Sequence, residues 1–342
     1  MRSRSILIFI FITFFTNCDV DRMGLEEKER YDSQFDYLDG KTVLDIILNQ
    51  YEFWFISVTE SKIEPPPESS HLLCDMQLSL LKNSKFDYYD MSINHISNII
   101  FDRDGLMYAT SGCKVLKIEN LQTHSTLYEH ADFITSLAFD HDNNLWFGDY
   151  NNGIFIWDGK ELKNFNSQNS SLQTNEIHDI VIYKNNTKWI ALGIDYNGLL
   201  KIEDDKWQYF KCSDLIDDEY HYFSHLILDK NNNLWIGYKG KFLIYNGIDW
   251  SFSEPFIYQD DRKEILSLLT SDIFGNIWVV YKDRYLPQEE VLSDIYFYDG
   301  DKWKKPVENF NGIVCDLELD ENNQLWIGAY HGLFTYSLLQ NK

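Results

Sequence analysis

The chain has 342 residues, with 54 Asp and Glu against 30 Lys and Arg, and a formal net charge of −24. No basic stripe survives along it, which excludes a nucleic-acid partner, because phosphate binding needs clustered Lys and Arg. Aromatic residues make up 16% of the chain; rings in that number are first a core signal, since they fill the tapered space between packed sheets.

The amino terminus reads as an export signal. Arg2 and Arg4 supply the positive start, and Ile6 to Phe15 supply an apolar run too short to span a bilayer. Cys18 follows at once. A Cys directly after such a run resembles a bacterial lipoprotein signal, which implies lipidation of Cys18. Plain secretion and an uncleaved anchor are the alternatives. Residues 1–17 are then the signal peptide, and the charged stretch 18–30 is a polar tether. The expected location is the envelope of a Gram-negative-type bacterium, with the chain membrane-anchored through lipid and facing the periplasm or the outer surface.

From there the chain repeats. The segments FDRDGLMYAT, FDHDNNLWFG, IYKNNTKWIA, LDKNNNLWIG, SDIFGNIWVV and LDENNQLWIG centre on Tyr108, Trp146, Trp189, Trp235, Trp278 and Trp326. Their spacing of about 38–48 residues is that of one propeller blade. Such a unit cannot bury both faces of its sheet alone, so it stacks on neighbours and closes into a ring. Within one unit, ITSLAFD reads as the innermost strand, LWFGDY as the second, IFIWDG as the third and ELKNF as the outer one. Asn, Asp and Gly fill the turns between alternating apolar positions. The stretch VLDIILNQYEFWFISVTE around Trp54 reads as a degenerate first blade, with PPPESS in an inserted loop. The last unit has three strands, and RYDSQFDYL near residues 30–38 supplies the missing outer one. The expectation is an all-β, seven-bladed propeller of four-stranded antiparallel blades over residues 31–342, its ring closed by an N-terminal strand. Six blades with an amino-terminal appendage is the alternative.

These units closely resemble the two-component regulator propeller repeat, with its Asp-turn-Leu-Trp-Ile-Gly core and following Gly-Leu strand. The resemblance covers about residues 93–337. It implies a periplasmic sensor-type module that responds to glycans. This chain shows no transmembrane helix, kinase or DNA-binding segment after the ring, so the resemblance carries recognition and not signalling, here in a stand-alone lipoprotein.

The loops joining second to third strands share one face of the ring. They carry Tyr150 and Asn151; Asp195, Tyr196 and Asn197; Tyr238 and Lys239; Tyr281, Lys282, Arg284 and Tyr285; Tyr330 and His331. Aromatic rings stack on the C–H faces of sugars, while Asn, Asp and Arg orient a ligand. As a set they are the candidate binding site. Individual rings could equally pack against the next blade.

Along the inner strands, Asp45, Asn98, Ser136, Asp179, His225, Leu268 and Asp316 fall at the channel-facing position. That mostly polar ring suggests a hydrated channel, with a cation between the three Asp residues as the sharper reading. The turns DRDG, DHDNN, DKNNN and DENNQ resemble pieces of Ca²⁺ loops but lack the distal Glu, so turn geometry explains them. No catalytic motif appears, and the reading is of a non-enzymatic module with no cofactor and no metal. Its partner is an oligosaccharide or an envelope protein. A lyase or hydrolase would need a His and a carboxylate in reach on one face, with His331, His178 and His225 beside Asp179 or Asp195 as the candidates. A structural subunit of an envelope complex is the third reading. Cys74, Cys113, Cys212 and Cys315 fall in different blades without CxxC spacing, and are expected to be free thiols.

Overall fold

In the computed structural model the described residues are 41–49, 52–59, 76–82, 85–89, 96–120, 123–183, 185–193, 196, 198–216, 223, 225–238, 241–253, 264–272, 274–283, 292–329 and 332–338. The signal, Cys18, the tether, RYDSQFDYL, PPPESS and Cys74 lie outside them.

Seven antiparallel sheets follow one another along the chain. Blade 1 spans the strands from Lys41–Asn49 to Lys85–Tyr89, and blade 2 those from Ile96–Phe101 to Thr123–Glu129. Blade 3 runs from Ile134–Phe139 to Leu162–Phe165, and blade 4 from Ile177–Ile182 to Lys206–Lys211. Blades 5 and 6 run from Leu226–Leu228 to Trp250–Ser253 and from Glu264–Ser271 to Trp303–Asn311. Among the described residues blade 7 has three strands, Val314–Leu319, Gln324–Ala329 and Gly332–Ser337. The stretch around Trp54 is therefore a full first blade, and the ring has seven.

Every seam between successive blades holds its own apolar cluster, and the repeat aromatic always sits in the seam to the following blade. Trp54 packs with Ile96 and Ile99 of blade 2, and Tyr108 with Ile134 and Phe139 of blade 3. Trp146 meets Ile177 and Ile180, Trp189 meets Leu226 and Leu234, Trp235 meets Ile277 and Tyr281, and Trp278 meets Val314 and Leu317. Trp326 of blade 7 packs with Ile46 and Phe55 of blade 1, so the ring closes on itself. One large ring per seam explains the period.

Asp-rich turns hold four of these rings, Trp146, Trp235, Trp278 and Trp326, in place. Asp140 Oδ1 accepts from the backbone N–H of Asp142 and of Asn144, both at 2.9 Å. Its Oδ2 accepts from Asn144 Nδ2 at 2.9 Å and from Trp146 Nε1 at 3.0 Å. Asp229, Asp272 and Asp320 make the same turn and reach Trp235, Trp278 and Trp326. Desolvation raises the Asp140 carboxyl, but the hydrogen bonds from Asn144, Trp146 and the turn backbone outweigh it, and the net shift is downward. The carboxylates are spent on the turn and the indole, which is the turn geometry expected of them. Left-handed residues complete the hairpins: Asn143, Asn232 and Asn323 have φ of 65°, 67° and 58°. Gly148, in the Leu-Trp-x-Gly core, has another reason: an added Cβ would lie 2.5 Å from Ile177 Cγ2 of the next blade.

The polar ring of the inner strands is largely closed off, with His225 partly exposed. Asp45, Asn98, Ser136, Asp179 and Asp316 are all buried, at 5% exposure or less. Asp316 Oδ2 accepts from Ile46 N at 2.9 Å across the seam from blade 7 to blade 1. Asp179 Oδ2 accepts from Leu226 N at 2.8 Å across the seam from blade 4 to blade 5. The cation reading fails as well, because Asp179 and Asp316 spend these oxygens on neighbouring backbones. Among the described residues no cluster of three or more His, Cys, Asp or Glu could hold a metal ion. Cys113, Cys212 and Cys315 carry thiols outside any disulfide. Among the described residues no helix is long and apolar enough to cross a membrane.

Candidate ligand-binding face

The turns between second and third strands do share a face with the segments that join blades. Tyr150 N donates to Phe133 O at 3.0 Å, and Gly153 N donates to Asn175 O at 2.9 Å. Gly153 has φ of +90°, and a Cβ there would meet Phe165 O at 2.3 Å, so the close approach of that turn to the outer strand requires glycine.

Over blades 2 to 4 this face is described in most detail. The ladder pair Ile134 and Asp149 is the last of its hairpin, and Phe133 and Tyr150 are its continuation. Both rings stand in the open, at 45% and 40% exposure. Tyr150 lies parallel to the His178 imidazole of blade 4, with centroids 5.9 Å apart and 9° between planes. His178 Nε2 is in turn 2.9 Å from Glu176 Oε1. The pair is mostly buried, with side-chain exposure of 11% and 12%. His225 is close enough to His178 for charge to matter: burial first, and then the neighbouring imidazole, push its pKa down to about 4.

Beside the two rings is a tight amide and carboxylate network. The Asn151 amide donates to Asp132 Oδ1 at 3.0 Å. The Asn152 amide lies 2.7 Å from Asp149 Oδ1, 3.1 Å from Asp132 Oδ2 and 3.0 Å from His130 Nδ1. The Tyr128 hydroxyl donates to Asp149 Oδ2 at 3.0 Å. Burial first, and then the Asp149 charge, hold that phenol well above its usual range. The far side is bounded by the 166–175 segment, anchored where the Tyr209 hydroxyl donates to Ser171 O at 2.6 Å.

Of the residues expected at the site, Tyr150 and Asn151 are exposed and adjacent on this patch. Tyr196 is partly buried and meets Tyr209 edge-on, with centroids 5.4 Å apart. Tyr281 does not reach the surface. It is 1% exposed, packed in the seam between blades 5 and 6 with Trp235 and Phe242. The reason is register: Tyr281 stands three residues after its repeat Trp, matching the buried Asp149, whereas Tyr150 stands four after. Tyr238 ends its second strand opposite Lys241. Asp195, Lys239, Arg284, Tyr330 and His331 lie outside the described residues. The interblade residues His130, Asp132, Phe133 and Glu176, and Asn152 beside them, are additions that the turn-by-turn sequence reading passed over. HADF immediately before an inner strand was the available signal.

Residues 129–151 match the family described as two component regulator propeller. The chain carries that repeat. The matched stretch runs from the end of blade 2 through Phe133, Trp146 and Tyr150, the heart of the patch. Among solved structures, the extracellular domain of a hybrid two-component system, BT3049, from B. thetaiotaomicron is similar at 13% identity with a TM-score of 0.62. The match covers 87% of this chain and 39% of that one, so this chain spans well under half of that relative's length. Streptogramin B lyase is similar at 11% identity and a TM-score of 0.61, over 88% of this chain and 94% of the lyase. PorZ, a surface component of the type-IX secretion system of Porphyromonas gingivalis, is similar at 14% identity and a TM-score of 0.61, over 86% and 46% of the two chains. No curated protein sequence matches. Likeness at these identities establishes the propeller fold.

Proposed function

We propose that this chain is an extracytoplasmic, non-catalytic binding module, held at a membrane by a lipid on Cys18, that recognises a carbohydrate or an envelope protein on the face carrying Tyr150. Residues 1–17 act as the signal, 18–30 as the tether and 31–342 as the propeller. The observation that carries the reading is Tyr150 itself: an aromatic ring two-fifths exposed, backed by a stacked imidazole and flanked by Asn151 and Phe133. An open ring with a fixed orientation and amides at its rim is the chemistry of a ligand platform. The extracellular origin of BT3049 and the surface location of PorZ support the same placement. Replacing Tyr150 by Ala should abolish binding while leaving the fold intact, and unchanged affinity would refute the site. Replacing Cys18 by Ala should move the protein from membrane to soluble fractions.

The His178–Glu176 pair favours a second reading, a lyase or hydrolase. A carboxylate at 2.9 Å orients an imidazole as a general base requires, and streptogramin B lyase shows a similar fold. The two readings separate on His178→Gln. A binding module turns nothing over with or without that substitution. An enzyme loses turnover.

A further inference from the structure

We infer that the patch over blades 2 to 4 is a subsite for an uncharged oligosaccharide, and that it rejects uronic, sialylated and sulfated glycans; this rests on the reading of that face as the binding surface. Two platforms, Phe133 and Tyr150, present exposed rings side by side. Bordering the Tyr150 turn is the segment 164–175, NFNSQNSSLQTN, twelve residues without one charge in a chain of net charge −24. That segment is built in rather than loose. Asn164 Nδ2 donates to Asn152 O at 2.9 Å, Asn169 Nδ2 donates to Asn164 O at 3.0 Å, and Ser167 N donates to Asn175 Oδ1 at 2.8 Å. Ser167, Gln168, Asn169 and Gln173 are exposed along it. Rings, hydroxyls and amides together match a sugar with apolar C–H faces and neutral hydroxyl edges.

Charge decides the class. Residues 128–153 and 164–178 contain no Lys or Arg; the cations of the adjoining turns are Lys114, already paired with Glu129 at 3.1 Å, and Lys211 at the end of the outer strand of blade 4. Their acids are Glu129, Asp132, Asp140, Asp142, Asp149 and Glu176, and three of these border the patch. Asp132 and Asp149 accept from the Asn151 and Asn152 amides, and Glu176 faces His178. An anionic glycan would find no cation to pair with in these segments and would bring like charges together, which costs specificity and affinity. A neutral glycan meets no such penalty.

The test is calorimetric titration of the full chain with neutral oligosaccharides (glucan, mannan and galactan fragments) and anionic ones (polygalacturonate and sulfated fragments). It is run on the wild type, Phe133→Ala, Tyr150→Ala and Tyr150→Phe, with thermal melts as the fold control. The expected result is saturable binding to a neutral class, weakened about tenfold or more by either Ala variant and retained by Tyr150→Phe. Raising NaCl from about 50 to 500 mM should change that affinity by less than about twofold, since no ion pair is screened. Tighter binding to an anionic class, or no saturable binding to any neutral one, overturns the inference. If the anionic or a peptide ligand is lost in Tyr150→Ala, the face stands as a binding surface and only the ligand class is wrong. Neutral-glycan affinity unchanged in both Ala variants overturns the class at this subsite and the face together.

Discussion

Asp229→Ala should destabilise the ring by about 2–4 kcal/mol, most of it through one indole. The carboxylate accepts from Asn231 N and Asn233 N at 2.8 Å, from Asn233 Nδ2 at 2.7 Å and from Trp235 Nε1 at 3.0 Å. The turn donors can turn to water, because Asn231 is exposed and Asn233 partly so. The indole cannot, because Trp235 is 1% exposed between blades 5 and 6. A buried donor left without an acceptor costs about 1–3 kcal/mol beyond the lost turn. Blade 2 supplies the control. Asp102 makes the same turn, accepting from Asp104 N at 2.9 Å and Leu106 N at 2.8 Å, but its repeat aromatic is Tyr108, with no indole N–H. Asp102→Ala should therefore cost only about 1 kcal/mol. For a ring of this size each kcal/mol moves the melting temperature by about 1.5 °C. Melts of the two variants should differ by several degrees, and a cycle with Trp235→Phe should recover about 1–3 kcal/mol of coupling. Equal losses at Asp229 and Asp102, or no coupling to Trp235, would refute the idea that the turn carboxylate exists to satisfy the indole.

Asp179→Ala leaves the Leu226 amide, in a strand residue 3% exposed, without its cross-seam acceptor; it should cost about 1–3 kcal/mol and speed hydrogen exchange at that amide, while Asp179→Asn should cost less. His225 has a folded pKa near 4 against an ordinary 6.5, so the unfolded chain binds the proton first and stability should fall as pH drops from 6.5 towards 4. His225→Asn should flatten that part of a stability–pH profile, and an unchanged slope would show that His225 is not buried neutral. The two tyrosines expected together at the site should part company: Tyr281→Ala should cost about 3–5 kcal/mol as a core deletion, whereas Tyr150→Ala should shift the melt by no more than about 1 °C.

The fold was legible because each seam needs one large ring, and in four seams an Asp turn holds its indole, which stamps Asp, Asn and Trp at a recurring interval. Trp54 fills the seam to blade 2 behind a shortened hairpin, but its indole N–H, like that of Trp189, meets no turn carboxylate. The axial ring was misread for a reason of reach. A polar residue facing the axis looks the same in sequence whether it meets water or the next strand's amide, and Asp179 and Asp316 meet the amide. The site was half legible. Period-2 strand geometry sends residues three and four after the repeat Trp to opposite faces, so Tyr281 and Tyr150 were indistinguishable without register. Phe133 and Glu176 share one repeat position, the residue just before the inner strand, which the turn-by-turn reading passed over.

The central claim is that the Tyr150 face binds a ligand, and its most direct test is a glycan-array and thermal-shift screen of the full chain beside Tyr150→Ala. The account predicts a saturable stabilisation by one neutral glycan class that disappears in Tyr150→Ala at an unchanged unliganded melting temperature. The same stabilisation in both proteins would contradict it, and none from any glycan would contradict the neutral-glycan class.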